Sequence, residues 1–203
     1  VHPDSSPKER ETQICMNDYK YVDLILGKQC QTKMGRGGIR PLEFKTFSKE
    51  MQNAITNYCQ AGGNFFVSGA YVASDLWDNR LVKANEEDKK FAMEVLKYKW
   101  RVGQAARNGK VKSVASPFPE ITGSYTYYQD LNPESYVVES PDALEPAAQG
   151  AFTILRYSEN NLSAGIAYKG NYKTCVLGFP FEAIRTVTER ELLMKAILTF
   201  FEH

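Results

Sequence analysis

Ser68, Tyr71 and Asp75 share one short stretch, Gly62 to Leu76, reading Gly-Gly-Asn-Phe-Phe-Val-Ser-Gly-Ala-Tyr-Val-Ala-Ser-Asp-Leu. A hydroxyl on a tight turn can attack a carbonyl, a phenol can move a proton, and a carboxylate can accept one. Far along the chain, Glu182 and Arg185 follow a second apolar run that ends Gly178-Phe179-Pro180-Phe181. Glu182 or Asp75 acting on Ser68 or Tyr71 would make a carboxylate-driven nucleophilic system. Tyr71 with Arg185 has the composition of a lyase pair, a base beside a charge-neutralising group. Asp75, Glu120 and Glu182 are the carboxylates a glycosidase would need, about 5 to 9.5 Å apart across a cleft. Plainer roles compete and are favoured: a helix cap for Asp75 and a strand-end hydrogen bond for Glu182.

The missing residues constrain the chemistry further. The chain holds two histidines, His2 and His203, one near each end. A serine or cysteine nucleophile needs a base within about 3 Å, and chain ends seldom supply one. Cys15, Cys30, Cys59 and Cys175 are too widely spaced for a zinc site. Cys59 and Cys175 fall in apolar surroundings and read as small core hydrophobes, whereas a Cys15–Cys30 disulfide stays open. Gly35, Gly37 and Gly38 punctuate a polar loop from Lys28 to Arg40 but match no phosphate-loop spacing, so this is a flexible connection. Nothing calls for a metal or a cofactor.

Lys+Arg 25 against Asp+Glu 24 leaves no basic excess for nucleic acid. No apolar run approaches the roughly 18 residues of a membrane span. The chain starts at Val1 without a visible signal peptide and reads as a segment of a longer protein. Tyr125, Tyr127 and Tyr128 could stack on sugar rings, but alternating aromatics on a strand more often pack across strands.

The positioning elements are legible as patterns. Tyr21 to Gly27 is a short run of β-formers ending on glycine, as in a buried parallel strand. Phe47 to Ala61 carries Met51, Ala54, Ile55, Tyr58 and Cys59 on one helical face, with Ser48 or Thr46 to cap it and Gly62 to end it. Asn64 to Val67 is the next strand, completing a strand–helix–strand crossover. Tyr71 to Trp77 and Asn85 to Lys97 read as helices, the second with Glu86, Glu87 and Asp88 at its amino end. Arg107-Asn108-Gly109 predicts a hairpin between Trp100–Ala106 and Lys110–Ala115. Ser124 to Gln129 and Tyr136 to Glu139 are strand candidates; Ala151 to Tyr157, Leu162 to Lys169 and Tyr172 to Phe179 form two further hairpins. A helix over Glu189 to Phe201, with a Thr188/Glu191 capping box, closes the chain.

Two segments together resemble the class I glutamine amidotransferase-like family. Ser68-Gly69-Ala70-Tyr71-Val72-Ala73-Ser74-Asp75-Leu76 is similar to its nucleophile turn, and Val176 to Glu182 to the strand end that supplies its other catalytic residues. The arrangement is also similar to domains of secreted bacterial proteins labelled putative xanthan lyase, with a golvesin C-terminal-like module. The match covers Tyr21 to Leu76 and Tyr172 to the end. It implies an α/β fold: a flavodoxin-like, mostly parallel sheet flanked by helices, with an antiparallel β-rich insertion over about residues 100–150 of a single domain. It places Tyr71 at the nucleophile position, Glu182 at the histidine and Ile184 at the glutamate, so all three catalytic identities are lost.

The expectation is therefore a catalytically degenerate domain of an exported, secreted or periplasmic, polysaccharide- or cell-wall-related protein. Its partners would be carbohydrate or other domains of the parent. Tyr71, Glu182, Asp75 and Ser68 would form the site, with Gly69, Ala70 and Arg185 toward a ligand. The alternative is a polysaccharide lyase or glycoside hydrolase using the same carboxylates and Tyr71.

Overall fold

The computed structural model describes residues 15–30, 32–34, 42–77 and 84–203. Strands are β1 (Tyr21–Gly27), β2 (Thr32–Met34), β3 (Leu42–Phe44), β4 (Asn64–Gly69), β5 (Tyr98–Val102), β6 (Lys110–Ser113), β7 (Ser124–Thr126), β8 (Ala143–Pro146), β9 (Ala151–Tyr157), β10 (Ser163–Lys169) and β11 (Lys173–Leu177). Helices are α1 (Lys49–Gln60), α2 (Ser74–Trp77), α3 (Glu86–Lys90, continued by a π turn over Phe91–Leu96) and α4 (Val187–Glu202).

Seven strands form one sheet in the order β1-β4-β11-β10-β9-β6-β7. β4 lies between β1 and β11, parallel to both, with Phe66 in register with Asp23 on one side and Cys175 on the other. Every pairing beyond β11 is antiparallel. This corrects the flavodoxin-like, mostly parallel sheet flanked by helices that the resemblance implies: the sheet is mixed, and parallel only at one edge. Within about residues 100–150, where the antiparallel insertion was expected, β6 and β7 extend this same sheet through β9, whereas β8 pairs with β5 in a separate ladder.

Alternation along the strands sorts side chains to two faces. Phe65, Val67, Ile166 and Val176 point to one face, where α1 adds Ile55, Tyr58 and Cys59. Phe66, Ala167, Cys175 and Leu177 point to the other, where α4 adds Leu193, Ala196, Ile197, Phe200 and Phe201. Both helices begin on side-chain caps. Ser48 accepts from the Met51 amide at 3.3 Å, and Thr186 and Glu189 form a reciprocal capping box two residues earlier than the spacing suggested.

Other expectations shift as well. The Asn108-Gly109 turn is made, with Asn108 Oδ1 accepting from Lys110 N at 3.1 Å, but it joins no hairpin. β5 pairs with β8, while β6 pairs with β7 and β9. Tyr136 to Glu139 forms no strand and belongs to an irregular strap over residues 127–142. Much of the Lys28–Arg40 loop falls outside the described residues, although β2 lies within it and pairs antiparallel with β3. Cys59 and Cys175 are fully buried, as apolar residues would be, and burial pushes the Cys59 thiol up to about 12. No disulfide joins cysteines of the described residues.

Gly178 is where the strap meets the sheet. A Cβ there would lie 2.0 Å from the Asp142 carbonyl oxygen, which is backbone and has no flexible end to swing away. Gly178→Ala should therefore cost about 1–3 kcal/mol as an overpacked contact, read as a lowered urea midpoint with an unchanged slope.

Candidate functional site

The carboxyl ends of β1, β4 and β11 meet where an open sheet usually receives ligands. The strap over residues 127–142 covers them, and its contacts define the site. Asp142 is its anchor. The side chain is fully buried, and Oδ2 accepts from the amides of Ala73 and Ser74 at 2.8 Å each and from Ser74 Oγ at 3.2 Å. Oδ1 accepts from Trp100 Nε1 at 3.3 Å. Its backbone is tied too: the amide donates to Gly178 O at 2.7 Å and the carbonyl accepts from Tyr157 Oη at 2.7 Å. Burial raises the carboxyl to about 7, against the opposing pull of the Ser74, Ala73 and Trp100 donors.

The turn after β4 is thus capped from within. Ala73 and Ser74 present their amides where a bound anion would sit at the start of a helix, and the chain's own carboxylate fills that position. Ser68 is fully buried, its Oγ accepting from Phe181 N at 3.3 Å, so it ties β4 to the β11 end. Gly69 packs its backbone against Leu26, and the Ala70 amide already donates to Gly27 O at 2.9 Å.

Tyr71 is half-buried beside the same strap. Burial raises its phenol, followed by the nearby Cys30, while a hydrogen bond with Ser140 acts the other way. Lys28 pairs with Glu139 at 2.7 Å and lies 5.7 Å from the centre of the Tyr136 ring. Tyr136 Oη donates to Glu182 Oε1 at 2.5 Å, and burial and that carboxylate both raise the phenol, which stays protonated. Glu182 Oε2 is buried without a hydrogen-bond partner.

Beneath Glu182, the end of β1 turns at Gly27 with φ of +57°, a conformation that favours glycine. A Cβ at Gly27 would also crowd Glu182 Oε1 at 3.2 Å and Tyr136 Oη at 3.3 Å. Asp23 lies on the same edge strand. It is exposed as a residue, yet partial burial of its carboxyl and the nearby Glu182 charge raise it to about 6. Asp23, Glu182 and Tyr136 thus form a cluster of two carboxyls and a phenol, flanked by Lys28, Glu139 and Tyr71.

Asp75 lies apart from that cluster. It is 2% exposed; Oδ2 accepts from Phe47 N at 3.2 Å and Oδ1 has no hydrogen-bond partner. Burial raises its carboxyl, and the Phe47 amide opposes this. Arg185 pairs with Asp130 and stacks 4.8 Å from the centre of the Tyr128 ring, on the strap's outer side. Glu120 is exposed, whereas Asp75 and Glu182 Oε2 are buried. Tyr125, Tyr127 and Tyr128 are buried, and Tyr127 stacks on Phe179 at 4.9 Å, so their faces pack within the protein.

The structure brings Glu182 and Tyr71 to one strap, which Arg185 also meets at Tyr128 and Asp130, and leaves Asp75 apart. Sequence reasoning missed Asp23, Tyr136, Glu139 and Asp142. Asp23 carried a usable signal, a lone acid inside the apolar run Tyr-Val-Asp-Leu-Ile-Leu. The other three lie in a segment with no periodicity to place them. Among the described residues no group of three or more His, Cys, Asp or Glu could hold a metal ion, and no helix is long and apolar enough to cross a membrane.

No protein-family model and no curated protein matches the chain. Solved structures do. A β-galactosidase from Rahnella sp. R3 superposes over 94% of this chain and 24% of its own, with a TM-score of 0.55 at 12% identity. The mmIFT52 N-terminal domain matches 77% of this chain and 72% of its own, with a TM-score of 0.41 at 15% identity. An exo-β-1,4-mannosidase from Opitutaceae bacterium strain TAV5 matches 75% of this chain and 21% of its own, with a TM-score of 0.40 at 11% identity. The chain spans about a quarter of the β-galactosidase, and at that identity the likeness concerns the fold.

Two outcomes follow from the Asp142 geometry. Asp142→Ala strands two amide donors at about 1–3 kcal/mol each, so a loss of about 2–6 kcal/mol is expected in urea. Asp142→Asn keeps one acceptor and should lose about half as much or less.

The pH dependence has a defined sign. Asp142 at about 7 and Asp23 at about 6 both exceed the ordinary carboxylate value of 3.8. Between the unfolded and folded values, the native state holds more protons than the unfolded chain. Stability should therefore fall as pH rises from about 4 to about 7, then flatten. In Asp142→Asn the decline should end nearer the Asp23 value, read from urea midpoints across that range.

Proposed function

We propose that this chain is a non-catalytic domain of a larger, exported, carbohydrate-related protein, presenting a binding surface where the strap crosses the ends of β1, β4 and β11. The reading rests on one observation, the Asp142 carboxylate on the Ala73 and Ser74 amides. An amidotransferase-like enzyme would need those strand-end donors and a reactive side chain on the turn. Here the donors serve the protein itself, Ser68 is a buried acceptor, and the resemblance puts Tyr71 where that family has its nucleophile.

The carbohydrate connection draws support from the fold likeness to a β-galactosidase, in which a region of similar shape makes up about a quarter of the chain. An accessory role suits a piece of that proportion. Carbohydrate or a neighbouring domain is the expected partner of the Tyr71, Tyr136 and Lys28 surface.

A second reading, a lyase or hydrolase, is favoured by the Asp23–Glu182–Tyr136 cluster. A carboxyl held near 6 beside a second carboxylate can exchange a proton at neutral pH. The two readings separate by assay on β-galactosides and uronate-containing polysaccharides. The binding reading expects no turnover by the wild-type chain and the same result for Glu182→Gln. Turnover that drops by roughly a hundredfold or more in Glu182→Gln, the scale of a general acid–base contribution, would establish the enzyme.

A further inference from the structure

Asn108-Gly109 is the one Asn-Gly pair in the chain, and its turn sets an amide nitrogen beside a reactive carbonyl. The glycine nitrogen of such a pair can attack the asparagine Cγ and close a five-membered ring. Carrying both reactants on one backbone makes the attack intramolecular, and glycine puts no side chain in its way. What governs the reaction is where the neighbouring amides are committed.

Arg107 N donates to Glu159 Oε2 at 2.7 Å, and Lys110 N donates to Asn108 Oδ1 at 3.1 Å. The Gly109 amide between them donates to no group among the described residues. The nucleophile is therefore uncommitted. The Lys110 amide, in turn, sits on the oxygen that becomes negative when Cγ is attacked. A donor already placed at a developing oxyanion is how acyl-transfer sites lower their barrier. Asn108 is exposed, so its amide nitrogen can leave into water and water can follow.

The fold needs both residues of this labile pair. Gly109 has φ of +60°, and a Cβ on this buried residue would lie 2.4 Å from the Tyr127 carbonyl oxygen. Asn108 supplies the side-chain bond that turns the chain into β6.

We propose that Asn108 is a site of self-modification, converted by the Gly109 nitrogen through a cyclic imide to aspartate and isoaspartate. The Gly109 N–Cγ bond forms and the Cγ–Nδ2 bond breaks. Nδ2 leaves as ammonia, taking up the proton that Gly109 N gives to solvent. Water then opens the imide, at Cγ to give aspartate or at the main-chain carbonyl to give isoaspartate. No other reactant is required.

Isoaspartate routes the main chain through the former side chain and lengthens it by one methylene. Gly109 O accepts from Tyr127 N at 2.8 Å, so the added length falls where the strap leaves β7. A new carboxyl also enters a turn that already holds the Glu159 carboxylate. Modification at Asn108 thereby loosens the base of the strap.

Incubation of the full chain at mildly alkaline pH, then cleavage at glutamate and mass spectrometry, tests this. Asn108 should exchange its amide for a carboxyl roughly tenfold or more faster than any other asparagine. Isoaspartate should be among the products, and the folded chain should react no more slowly than the chain in urea. Asn108→Gln, which would have to close a larger ring, should stay unmodified. In the isoaspartate fraction the Tyr127 amide should exchange its hydrogen faster, while incubated Asn108→Gln keeps its original rate. An unreactive Asn108, conversion spread evenly over the asparagines, conversion confined to the unfolded chain, or a Tyr127 amide indifferent to the modification would overturn the proposal.

Discussion

The structure turns on a carboxylate taken out of water. Asp142 is fully buried among Ala73, Ser74, Trp100, Tyr157 and Gly178. Leaving water is costly for a charge, and the cost appears in the raised proton affinity of this group. What the group returns is connectivity. One residue, where the strap runs into β8, joins the turn after β4, Trp100 of β5, Tyr157 of β9 and the end of β11, all distant from it in sequence. Gly178 permits the approach, and Tyr157 from β9 closes the backbone side.

With Asp142 fixed, the rest of the strap has little freedom. Val138 N donates to Tyr128 O at 2.9 Å, Gln129 Nε2 to Val138 O at 2.5 Å and Tyr128 Oη to Glu134 at 2.5 Å, so the strap is braced internally. It meets the sheet again at Ala183, whose carbonyl accepts from Tyr128 N at 3.1 Å. Side chains are then delivered to the strand ends: Tyr136 onto Glu182, Glu139 onto Lys28, and Ser140 toward Tyr71. A loop held at this many points is scaffold rather than linker. The amides that an anion would have used are saturated, and the groups left facing outward are phenols, an ammonium and carboxylates.

The sequence made the local elements plain where pattern and burial agree. Tyr21 to Gly27, Phe47 to Ala61 and the three last strands stand close to where their patterns put them, because each buries a face matching its own period. Pairing was another matter. Asn108-Gly109 does make a turn, yet the strand before it joins β8, because Trp100 and Tyr98 are needed against Asp142 and Val72. A local turn signal cannot register such tertiary demands. The same limit applied to the site. Glu182 and Tyr71 lay on elements that could be placed, and both are at the strand ends. Tyr136, Glu139 and Asp142 lay among prolines without periodicity, and only the folded chain shows where they reach.

Asp23 shows how the two ends of this argument meet. Its register with Phe66 and Cys175 puts it in a row that is otherwise buried and apolar. A carboxylate there is tolerable only because β1 is the terminal strand, so the side chain keeps access to water. Charges pointing inward on an edge strand commonly restrain indiscriminate strand pairing. Here partial burial and, after it, the nearby Glu182 charge raise the Asp23 carboxyl to about 6, which weakens the restraint near that pH. Glu182 is itself held by Tyr136 from the strap. The strap that closes the strand ends therefore also influences the charge on the open edge, through a chain of two carboxyls and a phenol.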